Sequence, residues 1–229
     1  MGKNLKEAYK QISKEKVYSI RDGIDLIKKL SFEKFNSSVE VSFNLNLNAK
    51  KADQQLRGSI VLPHGNGKIA KVLVVAEKDD QEIAKKAGAD FFGDETILNK
   101  IEKENWFDFD FIVTTPKFMP KFAKFGKLLG PKGLMPNPKL GTVTTDIEKT
   151  LKDIKHGQIE YRTNQQGIVN LSIGKKSFKT DMLVENYKFV FSTIKSKKPA
   201  SLKGDLIKTI HVSTTMGPGI LIDKDGGVN

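Results

Sequence analysis

Three stretches of this 229-residue chain carry residue types and spacings suited to holding a polyanion. The first is residues 116–141, PKFMPKFAKFGKLLGPKGLMPNPKLG, whose six lysines have no carboxylate within the segment to neutralise them. Phe118, Phe122 and Phe125 recur at helical spacing, which sends Lys117, Lys121, Lys124 and Lys127 toward the outside of a short helix ending near residues 126–130. Beyond it, Gly130, Pro131, Gly133, Pro136 and Pro138 describe an ordered, irregular loop, since proline fixes φ and glycine admits positive φ. The second stretch is Lys34-Phe35-Asn36-Ser37-Ser38-Val39-Glu40, where a cation for phosphate, a ring for stacking and a hydroxyl for a ribose 2′-OH stand close together. Phe35 suits a hydrophobic core equally well. The third is Thr214-Thr215-Met216-Gly217-Pro218-Gly219, in which glycines permit close backbone approach and Met216 offers a deformable apolar contact. An ordinary hairpin turn explains the same residues.

Catalytic chemistry has weaker support. His64, His156 and His211 lack metal-ligand spacing, and each falls beside a turn or in a strand, which is a structural role. Gly65-Asn66-Gly67-Lys68 has neither the spacing of a phosphate-binding loop nor its place after a strand, and the glycines of residues 126–133 lack a dinucleotide fingerprint. No catalytic residue, metal or cofactor is expected. With no cysteine there can be no disulfide or thiolate site. The formal net charge of +12 points to nucleic acid or an anionic surface. Arginine occurs only at positions 21, 57 and 162, so lysine bias in an AT-rich genome is a competing source of the charge, and Arg57 and Arg162 gain weight as retained guanidinium forks. No apolar run approaches a membrane span, and the reading is of a cytoplasmic protein without a membrane partner.

The elements that must position these residues follow from periodicity. Leu5, Ala8, Tyr9 and Ile12 form one helical stripe; Ser19 with Asp22 resembles a capping box opening a helix that turns Ile20, Ile24, Ile27 and Leu30 inward. Residues 39–47 alternate apolar and polar, as in an antiparallel sheet covered on one side, and residues 56–62 give a second strand. The pattern then changes: residues 69–76 end in a continuous apolar run and 109–114 give a second, alternating with helices at 79–87 and 118–125, as in a parallel or mixed α/β sheet. Thr145 with Glu148 is a second capping-box pattern, before a helix ending near His156 and Gly157. Strands at 159–162 and 168–173 around the turn 164–167, a helix from Thr180, and strands at 206–215 and 220–223 complete the chain. The expected fold is an α+β outer domain with an antiparallel or mixed sheet, residues 1–67 and 159–229, interrupted by an inserted α/β Rossmann-like domain, residues 68–158, with two crossings acting as a hinge.

The segment GKLLGPKGLMPNPKLGTV, residues 126–143, resembles the signature of the bacterial ribosomal protein L1 family, and the likeness continues through ADQQLRGSIVLPHGNGK (52–68) and HVSTTMGPGI (211–220). The resemblance implies the same split arrangement and a non-catalytic, ribosome-associated protein of the large subunit, monomeric when free. Its implied partners are 23S rRNA at the mobile stalk, deacylated tRNA leaving the E site, and the protein's own operon mRNA, which it would repress. The implied RNA contacts are Lys34, Phe35, Ser38, Glu40, Thr215, Met216, Gly217 and Pro218, with Thr209 and Arg57 as further positions. Ser38 stands where the family usually has threonine, which keeps the hydroxyl. Asn164, Gln165 and Gln166 replace a charged turn of many relatives. Glu40 would accept from a base amino group or a 2′-OH, or orient Lys34. For residues 116–141 two roles stand: a second contact with RNA or tRNA through Lys127, Lys132 and Lys139, or packing against the other domain. The alternative from another class is an α/β nucleotide-binding enzyme with a basic accessory domain.

Overall fold

A computed structural model describes residues 2–13, 16–48 and 51–225. Its elements run α1 (Lys3–Lys10), α2 (Ile20–Leu30), β1 (Ser38–Leu45), β2 (Arg57–Val61), β3 (Val72–Val75), α3 (Lys78–Lys86), β4 (Phe91–Gly93), α4 (Glu95–Glu104) and β5 (Phe111–Thr114). They continue with the one-turn helices α5 (Met119–Phe122) and α6 (Gly126–Leu129), then α7 (Ile147–Lys155), β6 (Gln158–Arg162), β7 (Ile168–Lys175), α8 (Thr180–Ser196), β8 (Ile207–Thr214) and β9 (Ile220–Ile222). Contacts between Cα atoms divide the chain into two units, Met1–Gly67 with Ile159–Asn229, and Lys68–Gln158; residues 1 and 226–229 lie outside the described residues.

In the first unit an antiparallel sheet of order β7-β1-β8-β9 is built around β1. Val39, Val41, Phe43 and Leu45 are buried while Ser38, Glu40, Ser42 and Asn44 remain half-exposed, because successive strand side chains point to opposite faces. Burying such apolar side chains stabilises by about 1.5–3 kcal/mol each. The covering helices are α2 and α8. Ser19 caps α2, its hydroxyl accepting from the Asp22 amide at 3.2 Å, and Ile20, Ile24, Ile27 and Leu30 are buried. A Cβ on Gly23 would lie 2.3 Å from Ile222 Cδ1, so a larger residue here would force the Ile222 side chain to shift. Tyr187 of α8 stacks on Phe43 with ring centroids 6.2 Å apart. Strands β2 and β6 form a separate two-stranded sheet. Strands β6 and β7 flank the turn at residues 164–167, yet they belong to different sheets, β7 pairing with β1.

In the second unit a parallel sheet of order β4-β3-β5 is apolar on both sides. Val72, Val74 and Ala76 pack with Ala84, Leu151 and Ile154; Leu73 and Val75 pack with Leu98, Ile101, Phe122 and Leu129. A strand buried on both faces reads as an uninterrupted apolar run, which is why VLVV lacks alternation.

Several expectations change. Strand β4 and helix α4 were not anticipated: the strand has three residues, too few to show a period, and its Phe91 and Phe92 sit near the edge of the helical stretch. The helix expected at 118–125 is broken into alternating 3-10 and α turns from Pro116 to Leu129, Pro120 having no amide to donate. The cap of α7 is Asp146, which accepts from the Lys149 amide at 3.1 Å, and not Thr145.

Candidate RNA interface

Ser38 opens β1 and Thr214 closes β8, and the antiparallel register places Val39 opposite Thr214. The two strand ends are then tied by side chains as well as backbone. The Ser38 amide donates to Thr215 Oγ1 at 3.0 Å and the Thr215 amide to the Ser38 carbonyl at 3.1 Å, across 177 positions of sequence. The following turn is closed by the Gly217 amide donating to the Thr214 carbonyl at 3.0 Å. A Cβ on Gly217 would fall 2.2 Å from Thr214 Oγ1, so the turn is shaped for glycine.

Residue Glu33, missed in the sequence, anchors this turn from the other chain end. Its carboxylate accepts from the Met216 amide at 3.3 Å and from the Ser31 hydroxyl. Partial burial raises its pKa, but the bonds from the Ser31 hydroxyl and the Met216 amide, with the nearby Thr214 hydroxyl and its own amide, outweigh that and hold it down to about 2. Phe35 and Met216 therefore flank one bonded junction, and both are open to solvent, at 55% and 54% exposure. The core alternative for Phe35 is thereby excluded. Lys34 is exposed beside it.

On the far side of Ser38 lies the end of β7. Ser38 is opposite Lys175, whose Nζ donates to Ser38 Oγ at 2.9 Å. The Lys176 amide donates to the Ser37 carbonyl, and Asn36 and Ser177 exchange two hydrogen bonds. The dipeptide Lys175-Lys176 after a strand was the available signal for this third wall, but nothing in the sequence paired it with Ser38.

The remaining positions scatter. Glu40 lies on the half-exposed polar face between Ser172 and Ser213, and forms no ion pair with Lys34 among the described residues. Thr209 shares that face but is opposite Asn44, six residues along β8 from Thr215, or roughly 20 Å at strand rise. His211, opposite Ser42, keeps solvent access, and partial burial of its ring pushes it below the usual imidazole value. Pro218 is buried, so it shapes the turn and offers no surface. Arg57 lies on β2, outside the four-stranded sheet, and its guanidinium holds Glu160 at 3.0 Å. Asn164 turns inward on its own loop, its Oδ1 accepting from the amides of Gln166 and Ile168 at 2.9 Å.

The lysines of residues 116–141 meet partners from their own unit. Lys117 pairs with Glu77 and Lys121 with Glu95, while Lys132 sits over the Phe107 ring at 4.2 Å. Phe122, Phe125 and Leu129 bury the segment against its own sheet. Lys127 and Lys139 are exposed. Among the described residues no cluster of His, Cys, Asp or Glu could hold a metal ion, and no helix is long and apolar enough to cross a membrane.

A mixed α/β protein that presents cations, a solvent-facing ring and hydroxyls on one sheet end belongs to the class built to bind, with surface chemistry matched to nucleic acid. The Ribosomal protein L1p/L10e family matches residues 27–218. The chain is 51% identical over 223 residues to the large ribosomal subunit protein uL1 of Mycoplasma capricolum, covering 97% of this chain and 98% of that one. It is 50% identical to the proteins of the same name from Mesoplasma florum, over 97% and 98% of the two chains, and Macrococcus caseolyticus, over 97% and 96%. The chain belongs to the ribosomal protein L1 family, and its role is structural, not enzymatic. That membership sets aside the nucleotide-binding enzyme.

Proposed function

We propose that this protein is a component of the large ribosomal subunit that binds 23S rRNA at the mobile stalk through the β1, β7 and β8 ends of its first unit. The observation that carries this is the bonded junction of Ser38 with Thr215, which sets Phe35 and Met216, both exposed, beside Lys34. An exposed ring can stack on an unpaired base, Lys34 meets phosphate, and the glycine turn lets the RNA backbone come close. Glu40, which forms no ion pair among the described residues, suits a base amino group or a 2′-OH. The proposed contacts are Lys34, Phe35, Ser38, Glu40, Thr215, Met216 and Gly217, with Thr209 farther along the same face; Arg57 is occupied by Glu160 and contributes at most a shared contact.

On this reading the first unit is the RNA-binding domain, and residues 68–158 form an inserted Rossmann-like domain supported by their parallel sheet with helices on both faces. Lys127 and Lys139 are then its open cations for a second RNA or for E-site tRNA, whose release the protein assists in the cytoplasm. Binding of the same face to a stem in its own operon mRNA would make it a translational repressor. The test is a filter-binding titration with a transcript of the 23S stalk stem. Met216→Asp combined with Phe35→Ala abolishes binding while the circular dichroism spectrum stays unchanged; affinity equal to the parent's sinks the proposed face.

A further inference from the structure

The end of β7 contains a device that the contacts above do not use. Between Val39 and Glu40 the register with β7 slips: Glu40 is opposite Ser172, but Val39 is opposite Gly174 and Ser38 opposite Lys175. An extra residue in one strand is a bulge, and it re-aims the side chains beyond it. Without the slip Ser38 would face Gly174, which has no side chain. With it, the Lys175 ammonium reaches Ser38 Oγ at 2.9 Å.

The lysine stem is held as firmly as its head. A Cβ on Gly67 would lie 2.7 Å from Lys175 Cγ and 3.0 Å from the Phe178 ring, so the stem runs through a space that glycine leaves open. Gly67 has φ +70, a conformation that itself favours glycine. A long side chain fixed along its apolar length has already lost much of the rotamer freedom that binding would otherwise remove.

The hydrogen-bond inventory of the pair then decides its chemistry. An ammonium only donates, so Ser38 Oγ accepts from Lys175 and its own proton must point elsewhere. The Ser38 amide and carbonyl are both taken by Thr215. Among the described residues no acceptor takes the hydroxyl proton, which is left for a ligand, and the ammonium keeps two further donors.

We propose that Lys175 is a further RNA-binding residue of this site, contacting a phosphate itself and orienting the Ser38 hydroxyl as a donor toward an RNA oxygen. This rests on the RNA reading above. The variants are Lys175→Met, which keeps the stem and removes the charge, Lys175→Arg, Ser38→Ala, and Lys175→Met with Ser38→Ala, each titrated on the 23S stalk-stem transcript over a range of salt. Lys175→Met should weaken binding about tenfold, as loss of a charged hydrogen bond does. It should also lower the slope of log affinity against log salt by roughly one, the value for a lost phosphate contact. Lys175→Arg should restore the slope, and the Ser38→Ala penalty should shrink in the Lys175→Met background. Lys175→Met binding within about twofold of the parent, while Met216→Asp binds poorly, overturns the role of Lys175 and leaves the RNA face standing. Parent and Met216→Asp binding alike overturns the face and this proposal together.

Discussion

Glu33 fixes the Met216 turn more strongly when it is ionised, because a carboxylate is a stronger acceptor for the turn's amide than a neutral carboxyl. Its folded pKa is about 2 against an ordinary 4.5. A carboxyl depressed on folding contributes stability above its unfolded pKa, and that contribution disappears as pH falls through the folded value. Comparing urea midpoints of the parent and Glu33→Gln should therefore show a constant difference above pH 4.5 that shrinks toward pH 2. A difference independent of pH across that range would show that Glu33 acts through packing alone. Phe35 makes a separate point at this scale. Its ring was compatible with core or surface in the sequence, since an aromatic before a strand has no period to place it, and only the exposed junction with the Met216 turn decides.

Among the elements, α8 anchors more than its own apolar face. Asn186 is fully buried, donating to the carbonyls of Gly65 at 2.9 Å and Ile173 at 2.7 Å while accepting from the His64 amide at 3.1 Å. Asn186→Ala would leave buried backbone groups without partners at about 1–3 kcal/mol each, so urea denaturation should show a loss on the order of 2–4 kcal/mol. A loss below about 0.5 kcal/mol, the usual surface value, would mean that water replaces the amide. The legibility of the elements follows the same physics. Strand β1 and helix α2 were readable because one buried face imposes an unbroken period and Ser19 declares the helix start. Strand β4 was not, because three residues carry no period, and the helix through Pro120 was misread because the phenylalanine spacing survives while the backbone alternates between 3-10 and α turns. Lys117 and Lys121 looked unneutralised for a related reason: Glu77 and Glu95 reach them from elements 40 and 26 positions away. Two walls of the candidate interface, residues 34–40 and 214–219, were visible as local patterns, but the third was not: the bulge that brings Lys175 to Ser38 is a property of pairing and leaves no mark in either strand alone.

For the whole molecule, the second unit is one uninterrupted stretch with apolar packing on both faces of its sheet, whereas the first is assembled from both chain ends. Strands β2 and β6, which lead to and from the second unit, pair with each other. Replacing residues 68–158 with a short Gly-Ser linker should accordingly leave a folded chain whose affinity for the stalk-stem transcript is little changed. A folded chain that no longer binds would move the principal contact to Lys127, Lys132 and Lys139. The same division shapes synthesis. Strand β1 emerges early, yet both of its neighbours, β7 and β8, lie beyond the second unit, and the last of them ends at Thr214. The middle of the polypeptide can fold while the N-terminal segment still waits for its flanks. If the sheet end is the RNA face proposed above, a nascent copy stopped before β8 has no such platform, and abortive translation products would not compete for the nucleic acid that the completed sheet holds.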